Sequence, residues 1–280
     1  MISDFFTYDF LRYALIGTFI LSISSGVLSP LVVAKKHAFM GSALSHSTLL
    51  GVAVALSIVG LMPGIDYAHE NIIIFGLTFL TTLTLVLVLA QLTFYQKQTQ
   101  DSIIGIFLAL TMGLAVLVHQ YFVSGSTDLM GYLFGQIILL GPEDIFMAAI
   151  VCLILVSLII YKLPQWRTII FDEEGARLIG IRVKLYHSLF YLLLTLFIVS
   201  GVKISGTILI NSLILAPGLF AFQYAKSLGQ SILIAVIFSI ITSILGLIMA
   251  NAMNLPTGAS MASIQCIILL LSYSFRSRID

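Results

Sequence analysis

Four stretches decide what this chain can fold into. "ALIGTFILSISSGVLSPLVV", "IIIFGLTFLTTLTLVLVLAQL", "IFMAAIVCLILVSLII" and "LYHSLFYLLLTLFIVSGV" are solidly apolar. Each approaches the roughly 20 residues a helix needs to cross a bilayer core of about 30 Å. A transmembrane β-barrel would show short alternating segments instead. The whole chain follows suit: 60% of its 280 residues are apolar and 9% are charged, where a soluble domain carries about a quarter charged. The expected fold is therefore all-α, a polytopic transmembrane helix bundle forming a single membrane domain over 1–280. Spans are expected near 10–33, 38–62, 71–94, 102–124, 143–161, 185–202, 204–222, 230–250 and 260–275. The pair at 185–222 is divided only by "VKIS", so the count is nine, or eight with one helix broken.

Lysine and arginine in short loops set orientation. With nine alternating spans and Lys35 and Lys36 inside, 11 of the 13 basic residues fall on the cytoplasmic side, and only Arg12 and Lys203 fall outside. The C-terminus is then cytoplasmic. A net charge of +1 offers no basic face for nucleic acid. Cys152 and Cys266 lie inside apolar runs and read as core residues rather than a disulfide. The N-terminus has no basic n-region and does not read as a cleaved signal peptide.

Two segments depart from plain spans. Residues 126–142, "STDLMGYLFGQIILLGP", are too short to cross and hold Asp128, Gly131, Gly135 and Pro142. Irregular backbone at membrane depth is tolerated where it is buried in protein or lines a cavity, so this reads as a re-entrant or interfacial helix beside a translocation path. Residues 162–184, "KLPQWRTIIFDEEGARLIGIRVK", form a long inner loop with five basic and three acidic residues. A short helix from about 172 to 180 fits there. Asp172 can cap it, Glu173 and Glu174 suit its first turn, and Gly180 can end it. Such a loop either contacts a partner or is a solvated connector.

Ionisable groups inside spans usually face a bundle interior or a wet cavity. His46 lies about eight residues into its span, about 12 Å along the helix and near the midplane. Ser42 lies one turn earlier on the same face. A neutral histidine hydrogen-bonded between helices and a histidine on a cation path both fit this placement. Asn211 and Ser212 lie mid-span, with Pro217 as an expected kink. "DYAHE" places Asp66, His69 and Glu70 in an outer loop, as a solvated loop or a cation attractor. No Walker A loop, His-Glu-x-x-His or Gly-x-Ser-x-Gly is present, which argues against ATP hydrolysis by a P-loop and against the commoner hydrolase patterns.

The ordered segments "FMGSALSHSTLLGVAVAL", "DLMGYLFGQIILLGPEDI", "DEEGARLIGIRV", "SGTILINSLILAPGLFAF" and "LPTGASMASIQCIILLLS" resemble the membrane permease subunit of ABC-type zinc, manganese and iron importers, in particular its zinc-uptake branch. The resemblance covers nearly the whole chain. It implies a transport subunit rather than an enzyme, in the bacterial inner membrane, with zinc as cargo and no cofactor of its own. It implies three partners: a second permease copy, a cytoplasmic ATP-binding ABC subunit and an extracytoplasmic metal-binding protein. His46 matches the family's metal-handling histidine, while Ser42 stands where the family has aspartate. Gln136 likewise replaces an aspartate after Leu-Phe-Gly. Asp128, Gly135, Gln136 and Asn211 are expected along the path or its gate. Asp172, Glu173, Glu174, Ala176, Arg177 and Gly180 are expected to dock on the ATPase. Three rival readings remain: manganese, iron or a metal chelate as cargo; an intramembrane enzyme using His46 and Asp128; and a non-transporting relative, motivated by Ser42 and Gln136.

Overall fold

The computed structural model describes residues 8–35, 38–61, 67–95, 100–122, 135 and 140–276. Among these residues the backbone is helical, with no strand. The helices are α1 (Asp9–Ala34), α2 (Ala38–Gly60), α3 (Tyr67–Tyr95), α4 (Gln100–Phe122), α5 (Pro142–Tyr161), α6 (Leu163–Phe171), α7 (Glu173–Leu178), α8 (Val183–Tyr224), α9 (Leu228–Met253) and α10 (Thr257–Arg276). Eight of them are long and apolar enough to cross a membrane. Only α6 and α7 are too short.

Helix α8 has 42 residues, which drawn straight would reach about 63 Å, twice the bilayer core. It is not straight. Gly206 has φ 76° and ψ 165°, a combination essentially confined to glycine, and the chain reverses there. The neighbours on α1 trace the reversal. Ile204 meets Gly17, Leu21 meets Gly201, and the Lys35 ammonium lies 4.7 Å over the Phe190 ring. Along that arm the two helices are antiparallel. Beyond the turn, Gly218 N donates to Ser29 Oγ at 2.7 Å, and a Cβ on Gly201 would run into Ile210. Residues 201 and 210 would be about 13 Å apart in a continuous helix. The second arm, 207–224, therefore runs back beside the first, 183–205. Eight apolar helices with one folded double give nine passes among the described residues. The division expected at "VKIS" falls at its far edge, and Lys203 itself stays helical.

The doubled helix and α1 form the centre of the bundle. Their most apolar windows are 83% and 72% buried, against 22% for α3, α4 and α5, which form the outer face of this single chain. With lipid as solvent, helices associate through close packing and shared hydrogen bonds rather than the hydrophobic effect. Both devices are present. A Cβ on Gly26 would strike the Val236 backbone of α9, and one on Gly246 would strike Met261 of α10. Ser25 and Ser239 hydroxyls meet at 2.8 Å. Ser212 donates to Gln265 Oε1 at 2.7 Å, and Gln265 Nε2 donates to Ser243 Oγ at 2.9 Å. That last chain ties α8, α9 and α10 together.

Two expectations need correction. The long inner loop 162–184 is mostly helix. Leu163–Phe171 forms α6, whose Pro164 occupies the first turn, where a missing N–H does no harm. Cys266 is not a core residue but exposed on α10, while Cys152 is half-buried; both are free thiols.

Candidate metal path

The polar run on α2 divides into two groups. Ser45, Ser47 and Thr48 turn their hydroxyls back onto carbonyls of their own helix, Ser42 O at 2.8 Å and Leu44 O at 2.9 and 3.0 Å. This satisfies them locally and lets them sit in an apolar span. His46 instead reaches across. Its Nε2 lies 3.2 Å from Asn211 Nδ2 on the second arm of α8. The Ser45 hydroxyl also lies against Asn211 Oδ1, sharing its one hydrogen between that oxygen and Ser42 O. With the amide nitrogen donating, Nε2 is the unprotonated ring nitrogen and Nδ1 carries the hydrogen. Nδ1 is buried with no hydrogen-bond partner among the described residues.

Two residues singled out separately in the sequence thus meet in space. The juxtaposition depends on Gly206, since only the reversed arm presents Asn211 to α2. Ser42 is half-buried one turn below His46, and its side chain makes no hydrogen bond to a described residue. The cluster offers one imidazole, one amide and two hydroxyls. It contains no carboxylate, and no group of three His, Cys, Asp or Glu residues gathers anywhere among the described residues.

Gly135 sits against the reversal. It has φ 79°, and any Cβ on it would collide with the Ser205 and Gly206 backbone, so only glycine fits. Asp128 and Gln136 lie outside the described residues, as do Asp66 and most of the expected re-entrant segment. Beside the same turn is a clasp that sequence reading missed. Lys203 Nζ donates to Asp144 Oδ1 at 2.6 Å and to Asn71 Oδ1 at 3.1 Å, while Asp144 Oδ2 accepts from Gly141 N at 3.2 Å. The starts of α3 and α5 are thereby tied to the end of α8's first arm. The available signal was Lys203 itself, a lone basic residue within an apolar stretch.

At the other end of the bundle, the expected helix near 172–180 is α7 with its expected caps. Asp172 accepts from Gly175 N at 2.8 Å. Gly180 takes φ 84°, and Ile181 N closes the turn onto Ala176 O at 3.0 Å, a left-handed glycine stop. Ala176 is fully buried and packs with Ile169 and Val183. Glu173 pairs with Arg177 and lies 3.6 Å from His187 Nε2. Glu174 faces outward. Phe171, Leu178 and Ile179 are 73%, 88% and 70% exposed, a large apolar surface on a short charged element, of the kind that marks an interaction site.

Comparison with known proteins agrees with this architecture. The model of the ABC 3 transport family matches residues 7–276. The chain is 30% identical to the manganese transport system membrane protein MntC of Listeria monocytogenes, over 96% of this chain and 91% of that one. It is 29% identical to the manganese import system permease protein ScaB of Streptococcus parasanguinis, over 98% and 94%. Among solved structures, PsaBC from Streptococcus pneumoniae in complex with Fab superposes with a TM-score of 0.84 at 29% identity, covering 98% of this chain and 95% of that chain. The chain belongs to the ABC 3 transport family, as the ordered sequence segments led us to expect.

Proposed function

We propose that this member of the ABC 3 transport family is the multi-pass permease of an ATP-driven manganese importer of the bacterial inner membrane. Two copies form the path. A separate ATP-binding subunit docks on α6 and α7, and an extracytoplasmic binding protein delivers the ion at the Lys203 end. The C-terminus is cytoplasmic. The observation that carries this reading is the pairing of His46 with Asn211 in mid-membrane, between α2 and the reversed arm of α8.

An ion arriving there displaces the Asn211 amide nitrogen from Nε2 and meets the imidazole lone pair, with the Asn211 carbonyl and nearby hydroxyls as oxygen donors. One nitrogen among neutral oxygens, with no thiolate, admits either manganese or zinc, and ligand chemistry alone does not choose between them. The names of the relatives above support manganese, so the zinc expected from sequence becomes the second reading. With no carboxylate at this cluster among the described residues, the site is weak, which suits a step whose purpose is release.

The test is uptake of labelled manganese in cells lacking their own importers, with this chain, its ATPase and its binding protein co-expressed. Zinc and iron are the competitors. Manganese uptake should be ATP-dependent, and His46→Ala should lower it by about 100-fold or more, beyond the ~10–100-fold of supporting residues around a metal. Uptake that prefers zinc would restore the zinc reading. Uptake unchanged in His46→Ala would remove this histidine from the path.

A further inference from the structure

Lys35 is a cation with no part in the proposed metal path. It follows the last turn of α1, capping a helix whose final turn has no other basic residue. Its ammonium is buried and has no hydrogen-bond partner among the described residues. Instead it lies 4.7 Å over the Phe190 ring of α8 and 5.5 Å over the Trp166 ring of α6. Both distances fall within cation–π range. Trp166 is fully buried. It meets Tyr186 edge-on with centroids 5.3 Å apart and Phe190 at 6.1 Å.

Desolvation is the larger influence on Lys35 and brings its pKa down to about 8 from 10.5, against an opposing attraction from Glu173 on α7. A methionine of similar length would fill the same space without that penalty, since buried charges are often replaceable by apolar groups with no loss of stability. Stability alone therefore does not call for a charge here, and its position offers another use. Three residues further on, Ala38 begins α2, the helix that carries His46. On its other side Lys35 faces Trp166 of α6 and Phe190 of α8, with Glu173 of α7 near enough to attract it.

We propose that Lys35 is the coupling residue through which movement of the docking helices α6 and α7 is transmitted to α2 and its His46. The attraction of an ammonium for ring faces and for Glu173 has no fixed hydrogen-bond direction. It therefore survives sliding of α6 and α7 while still pulling the α1–α2 junction along. Lys35 touches no cargo; it acts on His46 through the position of α2. This rests on the importer reading, which supplies the ATPase that moves α6 and α7, but not on which metal is carried.

The experiment uses the full complex of permease, ATPase subunit and binding protein in nanodiscs. Spin labels are placed at two exposed sites, Arg167→Cys on α6, outside the apolar docking patch, and Leu61→Cys just past α2, with Cys152 and Cys266 changed to serine. The distance distribution between positions 61 and 167 is read with and without ATP in the wild type, Lys35→Met and Lys35→Arg. ATP hydrolysis and manganese uptake are measured on the same complexes without labels. The expected result is an ATP-dependent distance change in the wild type that is lost in Lys35→Met and kept in Lys35→Arg. Manganese moved per ATP should fall about tenfold or more in Lys35→Met, while basal hydrolysis holds. An ATP response in Lys35→Met equal to the wild type overturns the proposal. So does a wild type that shows none, or an arginine variant as defective as methionine. The distance readout needs no cargo, so a wild-type complex that responds to ATP but ignores manganese sinks the manganese reading and leaves Lys35 standing.

Discussion

At the docking end, Trp166, Tyr186 and Phe190 interlock around an ammonium, and Glu173 bridges Arg177 and His187. At the midplane, His46 meets one amide, and that amide meets one hydroxyl. The first region is dense, aromatic and charged; the second is sparse and neutral. The contrast fits a division of labour in the importer proposed above. Mechanical work transmitted without slack would call for large interlocked side chains. Cargo held and then released would call for few ligands and no full negative charge beside them.

The contrast can be broken or sharpened at several points. The largest effect should come from the element on which both regions depend. Gly206→Val places a Cβ in a conformation that costs about 1–3 kcal/mol at an isolated site, and here it also opposes the chain reversal. The variant should fail to accumulate as a monodisperse protein in detergent. Normal yield and normal uptake would mean that the reversal is not obligatory.

Next comes His46→Ala, as described above. Ser42→Asp should then make the midplane more like the docking end, by adding a charge one turn from His46. Manganese affinity should rise by about tenfold or more, because a carboxylate beside a divalent cation in low dielectric is strongly attractive. Maximal transport rate should fall as release slows. Equilibrium binding and initial rates on the same membranes check both halves, and a faster transporter would contradict the idea that the site is kept weak for release.

A smaller effect should appear with pH. Lys35 carries its charge below about 8, and the titratable groups that interact with it are Glu173 on α7 and His187 on α8. Manganese moved per ATP should decline severalfold between pH 7 and 9 in the wild type, as the ammonium loses its proton. Lys35→Arg should show no such decline, because guanidinium stays charged. Stability should move the other way. The folded pKa lies below the unfolded one, so folding disfavours the proton and this penalty vanishes as pH rises from about 8 toward 10.5. Thermal unfolding over that range, compared with Lys35→Arg, checks the sign.

The smallest effect belongs to the clasp at the opposite end. Asp144→Ala should lower stability by about 1 kcal/mol, because the ion pair is partly exposed and screened. Lys203→Met should cost about as much, and the double variant little more, since both remove one shared interaction. Unfolding in detergent reads all three.

The sequence made some of this visible and hid the rest for definite reasons. The spans were visible because lipid demands long apolar runs. Helix α7 was visible because Asp172 and Gly180 are local signals, each acting within a few residues. Helix α6 was missed because Pro164 reads as a breaker unless its place in the first turn is known. The reversal of α8 was visible only as an ambiguous "VKIS", because Gly206 stands between two segments that are each good helix. His46 and Asn211 were both noticed, but their contact spans 165 positions and leaves no local trace. Lys35 was read only as a topology marker, because a basic residue at the end of a span has that meaning by default. Its ring partners, Trp166 and Phe190, are supplied by helices far along the chain.

The turn at Gly206 also bears on how the protein is made. Two arms joined by a single residue leave no hydrophilic linker to be translocated on its own. The two arms therefore present themselves to the bilayer as one hairpin, with Lys203 near its tip.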